Sequence, residues 1–241
     1  MPQRISPSKL AAEFVVIFVS VILALLADDW RANRLLLAEE RNVLEGMMRD
    51  LAEDETDLNR LAGRLEGFAE NAQFAVAGML DGEDFDEATW LPAFQGATGH
   101  FLYRPVYPTY TGLRQSGRLS LIRDEALREW IVEYHGDLIG YLVELRDSYD
   151  ERHEAVLETM VPYFVIRFDQ EDARWRSQLS APVTELAHNQ AVQFRLGQYA
   201  RSVAWLHQRI DELFVPHNQR LREAIQAYLD GEPLPARIPR E

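Results

Sequence analysis

The stretch Leu10–Ala27, LAAEFVVIFVSVILALLA, constrains this chain more than any other. Eighteen helical residues at about 1.5 Å each span roughly 27 Å, close to the ~30 Å hydrocarbon core of a bilayer. Glu13 sits in the first turn of that run, and Trp30 stands where an interfacial aromatic anchor belongs. The run predicts a signal-anchor transmembrane helix over residues 10–27, with Glu13 and Trp30 as its anchoring residues. A carboxylate near the helix end can snorkel to the interface, or it can act as a proton-responsive or partner-pairing group. A cleaved signal peptide fits less well. Arg4 and Lys9 supply a basic start and Ala27 a small exit residue, but Leu25 suits the neighbouring small-residue position poorly. Runs this apolar and β-branched are also rare inside the cores of soluble proteins.

Composition narrows the rest. Apolar residues make up 47% and charged residues 27%, which is globular rather than disordered usage. The absence of Cys removes disulfides, thiol nucleophiles, Fe–S clusters and thiolate zinc sites, so no cofactor is expected from that chemistry. A formal charge of −14 argues against nucleic acid as a partner, because no basic excess exists to displace counterions from phosphates.

After the apolar run, apolar residues recur every seven positions. One seam reads Trp30, Leu37, Leu44, Leu51, Leu58, Leu65, Ala72 and Met79; a second contains Met47, Leu61, Phe68 and Ala75. Such spacing marks a coiled coil or a long bundle helix. The second seam is interrupted by Asn33, Glu40 and Asp54, and Gly46, Gly63 and Gly67 weaken a lone helix. The expected organisation is a short basic tail (1–9), the transmembrane helix (10–27), and a long heptad helix (28–80). An acidic and aromatic irregular linker (81–108), a helical bundle (109–230) and a proline-rich, disordered or loosely docked tail (231–241) follow. Within the bundle, Thr109–Ser116 reads as a short helix with Gly117 as its left-handed stop. Asp124 reads as the N-cap of a long helix that Pro162 interrupts. A shorter helix is expected over Pro162–Leu179 and a last one over Val183–Leu229, with a kink or break at Pro216. No strand is expected; the fold class is all-α, with the transmembrane helix continuing into a long coiled-coil-like helix packed in a bundle.

Two blocks carry a resemblance. Glu13, the step Ile22–Leu25, a polar pair and Trp30 form the first; Leu113, Ser116, Gly117, Leu119, Leu121, Ile122 and Asp124 form the second, an L-x-x-S-G-x-L-x-L-I step followed by Asp. Together they resemble a bacterial family of single-pass membrane proteins of unknown function. The chain departs from that pattern at Val19 and Ser20, which replace the family's glycine, and at Tyr134–His135, which replace its aromatic pair. The resemblance implies topology rather than activity: an inner-membrane anchor with the bulk of the chain on one side. Arg4 and Lys9 ahead of the run favour a cytoplasmic N-terminus, which puts the larger C-terminal part in the periplasm.

Candidate chemistry is sparse. Phe101, Tyr103, Arg104, Tyr107, Tyr110 and Arg114 could line a small-ligand pocket, although such clusters more often cap the end of a bundle. Two carboxylate-x-x-His steps, Asp150–His153 and Glu185–His188, have the spacing used by di-iron bundles, with Glu133, Glu144 or Asp54 as further ligands. In a chain with 39 acidic residues and six histidines such spacings arise by chance, and the histidines read as solvated surface groups. Ser116 lies in no nucleophile elbow and reads as part of a turn. The acidic loop Asp81–Glu87 lacks EF-hand spacing. No phosphate-cradling glycine motif occurs. The expectation is a non-enzymatic membrane-anchored helical protein that contacts the lipid bilayer and self-associates or binds a membrane-protein partner. A ligand-sensing bundle and a carboxylate/His metal enzyme are the alternatives.

Overall fold

A computed structural model describes residues 7–81, 87–99, 103–169, 174–180 and 183–238. The first helix, α1 (Pro7–Asp81), contains 75 residues and is roughly 110 Å long at the standard rise. It starts on a proline, whose missing N–H is of no consequence in a first turn, and it stops at Asp81 where the acidic stretch begins. Its two ends live in different surroundings. Every described side chain from Phe14 to Ala38 is exposed, whereas Leu44, Leu51, Leu58, Leu65, Ala72 and Met79 are buried. The first seam therefore enters the bundle only at Leu44; Trp30 and Leu37 remain 61% and 45% exposed. Among the described residues no helix is long and apolar enough to cross a membrane. The described apolar side chains begin at Phe14, and Asp28, Asp29 and Arg31 stand within eighteen residues of it.

The bundle is built on the second half of α1. Helices α2 (Glu87–Ala97), α7 (Gln190–Arg209) and α8 (Val215–Asp230) lie along it, and α5 (Ile139–Met160) packs on α7. The expected irregular stretch after residue 81 thus contains a helix. Trp90, Ala93, Phe94 and Ala97 are spaced to bury one face against α1, and Trp90 Nε1 donates to the carbonyl of Ala75 at 3.0 Å. That burial outweighs Pro92 within the helix.

After Pro105 the turn and the helix cap fall where the spacing puts them, while the expected long helix is divided by a π-turn. Helix α3 (Pro108–Gln115) ends on Gly117 at φ +68°, and the amides of Gly117 and Arg118 bond back to Arg114 and Leu113. Asp124 caps α4 (Glu125–Glu133), its carboxylate accepting from the Leu127 amide at 2.8 Å. A π-turn over Tyr134–Leu138 joins α4 to α5, and a second over Ile210–Phe214 joins α7 to α8. Pro216 falls in the first turn of α8, so the helical path continues where a kink was expected. The actual break comes earlier. The short α6 (Val183–Ala187) ends at His188, and Asn189 caps α7 by accepting from the amides of Ala191 and Val192.

A helix over Pro162–Leu179 does not form. Phe164–Asp169 (β1) and Arg174–Leu179 (β2) pair as an antiparallel hairpin, in register from Phe164↔Leu179 to Asp169↔Arg174. Pro162 stops α5, and a β-branched and aromatic run such as Phe164–Phe168 prefers the pleated conformation. The hairpin is an appendage to an otherwise all-α fold. The tail is docked through residue 238: Arg237 reaches Glu133 at 3.0 Å and the Ala126 carbonyl at 2.8 Å, and its guanidinium lies over Trp130.

Candidate functional site

The most organised polar site surrounds Asp54, an interruption of the second seam of α1. Its carboxylate is 5% exposed and accepts hydrogen bonds from three other parts of the chain. Tyr103, in the loop before α3, donates to Oδ1; Tyr134, in the first π-turn, donates to Oδ2 at 2.9 Å; Asn218, in α8, donates to Oδ2 at 3.0 Å. The second amide proton of Asn218 reaches Tyr134 Oη at 2.9 Å. Tyr107 lies 3.4 Å from the Tyr103 hydroxyl and sets its ring edge against Tyr134 and His135. Tyr110 stacks on His135 with centroids 4.2 Å apart, while His135 Nδ1 donates to the Ile131 carbonyl at 2.8 Å.

Burial dominates the electrostatics here. It raises the Asp54 pKa above its ordinary 3.8, against the opposing pull of the phenol and amide donors. It pushes the Tyr103, Tyr107 and Tyr134 hydroxyls far upward, so all three stay protonated and donate. It lowers His135 from 6.5 to about 4, leaving a neutral ring at physiological pH. Phenols that cannot ionise are poor acid–base catalysts but dependable donors. The site is a keystone: one carboxylate ties α1 to the loop before α3, the π-turn and the last helix.

A parallel arrangement lies two heptads nearer the arm, the exposed N-terminal part of α1 up to residue 38. Glu40, also buried in the second seam, accepts from the Arg123 amide at 2.7 Å and the Tyr228 hydroxyl at 2.8 Å. Between the two, Asp50 accepts from the Thr109 amide at 2.9 Å at the start of α3. Gly46 lets α3 approach there, since a Cβ on it would meet Thr109 Oγ1 at 3.0 Å. Helix α3 and the block that follows it are thus gripped by carboxylates of α1, Asp50 at Thr109, Glu39 at Arg118 and Glu40 at Arg123.

The remaining expected residues fall out as follows. Tyr103, Tyr107 and Tyr110 do come together, but buried in this network rather than lining a ligand pocket; Arg104 and Arg114 point to solvent, and Phe101 lies outside the described residues. Ser116 is exposed, its hydroxyl donating to the Gly112 carbonyl at 2.8 Å, as a helix-end residue does. Glu13 belongs to α1, its side chain lying outside the described residues, as do residues 82–86 of the acidic loop. Trp30 is exposed on the arm with the Arg34 guanidinium 4.8 Å from its ring.

The carboxylate-x-x-His steps are not brought together. Among the described residues no group of three or more His, Asp or Glu could hold a metal ion. His153 is buried rather than solvated, and its Nε2 donates to the Thr98 carbonyl at 3.1 Å. Tyr199 and Tyr149, whose hydroxyls are 2.7 Å apart, reach the Ala97 and Gly99 carbonyls at 2.8 Å each. Together the three side chains satisfy the carbonyls that the end of α2 leaves unpaired. Glu133 pairs with Arg237, and Glu144, Glu185 and His188 are on the surface.

Sequence reasoning named Asp54 only as a possible metal ligand and missed Glu40, Tyr134 and Asn218 as site residues. A signal existed: Glu40 and Asp54 stand fourteen residues apart at positions of an apolar seam. A polar residue in register with a buried stripe is a buried polar residue in need of partners. Compared with known proteins, the chain matches no family, no curated protein and no solved structure.

Proposed function

We propose that this chain is a non-enzymatic, single-pass protein of the bacterial inner membrane, of the kind the Glu13–Trp30 and Leu113–Asp124 blocks resemble. In this reading its helical bundle stands in the periplasm and binds a membrane-protein partner or a second copy of itself. The observation that carries the reading is the arm of α1. Phe14, Val16, Ile17, Phe18, Leu23, Leu25 and Leu26 are all exposed, on every side of the helix. A helix that is apolar all round requires surroundings that are apolar all round, and lipid is the surrounding that suits it. The first apolar residues of the run, Leu10–Ala12, extend it toward the basic tail. Beyond the charged step at Asp28–Arg31, Leu35, Leu36 and Leu37 are again exposed. They lie outside the apolar run and above any bilayer it occupies, which makes them the surface for association.

Alkaline phosphatase and GFP fused to the C-terminus test the anchor and its direction. An active phosphatase and a dark GFP, with the protein retained in membranes after carbonate washing, is the expected result. Release by carbonate overturns the anchor; a bright GFP with an inactive phosphatase reverses the orientation.

A further inference from the structure

The groove between α5 and α7 stands out against the charge of the whole chain. Asp and Glu outnumber Lys and Arg by 39 to 25, yet among the described residues no acidic side chain lines this groove of about 770 Å³. Ser148 and Arg152 face it from α5, and Gln198, Arg201, Ser202 and Trp205 from α7. The spacing explains the convergence, since residues three and four apart share a helix face. Ser148 and Arg152 are one such step, and Arg201 and Trp205 another. The two helices meet beside the groove at Tyr149 and Tyr199, whose hydroxyls are 2.7 Å apart.

Its cations are uncommitted. Arg41, Arg60, Arg118, Arg146, Arg220 and Arg222 all pair with carboxylates. Among the described residues Arg152 and Arg201 make no ion pair. At the α7 end the Arg209 guanidinium, outside the groove lining, lies over the Trp205 ring at 5.3 Å. A guanidinium fork matches a carboxylate or phosphate in plane, and a half-exposed indole offers a flat surface for a ring. Hydroxyl and amide groups supply the adaptable hydrogen bonds. The volume lies within the usual span of small-molecule sites, roughly 300–1,000 Å³.

We propose that this groove binds a small molecule carrying an oxyanion on a flat ring. Arg152 and Arg201 clamp the carboxylate or phosphate, and Trp205 stacks on the ring. The inference rests on the bundle alone and stands apart from the membrane anchor, so its failure and the failure of the anchor are read in different experiments.

Titration calorimetry on the full chain in detergent tests it with two matched pairs: AMP against adenosine, and indole-3-acetate against indole-3-acetamide. At least one anion should bind saturably, its uncharged counterpart about ten-fold more weakly or worse, and added salt should weaken the anion. Arg152→Gln and Arg201→Gln should each weaken that anion by about five-fold or more. Arg195→Gln, an exposed arginine of α7 outside the groove, should leave it unchanged. All three are surface substitutions, and unchanged circular dichroism establishes that they fold. Binding of neither anion overturns the proposal, as does equal binding of an anion and its neutral partner, or full affinity in both groove variants.

Discussion

Asn218 Nδ2 lies 3.0 Å from Asp54 Oδ2, although 164 positions separate them in the chain. The last helix is thereby bonded to the first, with Tyr134 from the middle of the sequence bonded to both. A single seam position of α1 decides whether three distant segments agree on one arrangement.

Removing that carboxylate should show how much depends on it. Asp54→Ala leaves the Tyr103 and Tyr134 hydroxyls and one amide proton of Asn218 buried without their acceptor, and an unsatisfied group costs about 1–3 kcal/mol. The expected loss is about 3 kcal/mol, read from urea unfolding of the full chain by circular dichroism. Asp54→Asn keeps one acceptor oxygen and should lose less. A parent-like midpoint for the alanine variant would remove Asp54 from this role.

Acid should act on the same cluster through His135. Its folded-state pKa is depressed by burial from 6.5 to about 4, so the unfolded chain binds more protons between those values. The stability His135 contributes is present above pH 6.5 and lost as the pH falls toward 4. Asp54 runs the other way. Burial holds its pKa above 3.8, so its contribution is present below 3.8 and lost as the pH rises through its folded value. His135→Phe keeps a ring against Tyr110 and cannot take up a proton. Between pH 7 and 4.5 it should lose less stability than the parent, by about 2–3 kcal/mol. Parallel stability curves for the two proteins would contradict the assignment.

The turn into α4 offers a local test. Gly117 has φ +68°, a conformation that costs a side-chain-bearing residue about 1–2 kcal/mol and a β-branched one more. Gly117→Val should therefore lower the melting temperature further than Gly117→Asn. Asp124→Ala should cost about 0.5–2 kcal/mol through the lost cap on Leu127. Both effects are measured by thermal unfolding, and an unchanged melt for Gly117→Val is the adverse result.

Self-association should be confined to the exposed part of α1. Single cysteines placed at Leu36 or Leu37 in this cysteine-free chain should form disulfide-linked dimers in membranes. Cysteines at Leu44 or Leu65 should not, since both positions are buried within the chain's own bundle. Linkage at Leu65, or none at Leu36 and Leu37 with a monomeric mass in detergent, would contradict association through the arm.

Much of the architecture is written in local patterns. The seven-residue seam, the stop at Asp81, the turn at Gly117 and the cap at Asp124 each depend on residues within a few turns of one another. Helical periodicity, left-handed glycine and side-chain capping act at that range, so the sequence alone determined a long helix and a bundle to cover it. It also placed an apolar run at the start of α1, and the described side chains of that run from Phe14 to Leu26 are exposed.

Other features were settled only by what packs against what. Helix α2 exists because Trp90 and Phe94 find α1, and the β1–β2 pairing joins residues whose helical or extended preference is indecisive alone. Asp54 and Glu40 looked like flaws in a stripe, because their partners are Tyr103, Tyr134 and Asn218 for one and Arg123 and Tyr228 for the other. His153 looked like a surface group until the end of α2 arrived beside it. A hydrogen bond between groups far apart in sequence leaves no periodicity to read, since only the folded chain brings donor and acceptor within 3 Å. Burial then fixes the consequence: the same carboxylate that is ordinary on a surface becomes, without water, the group around which three segments must close.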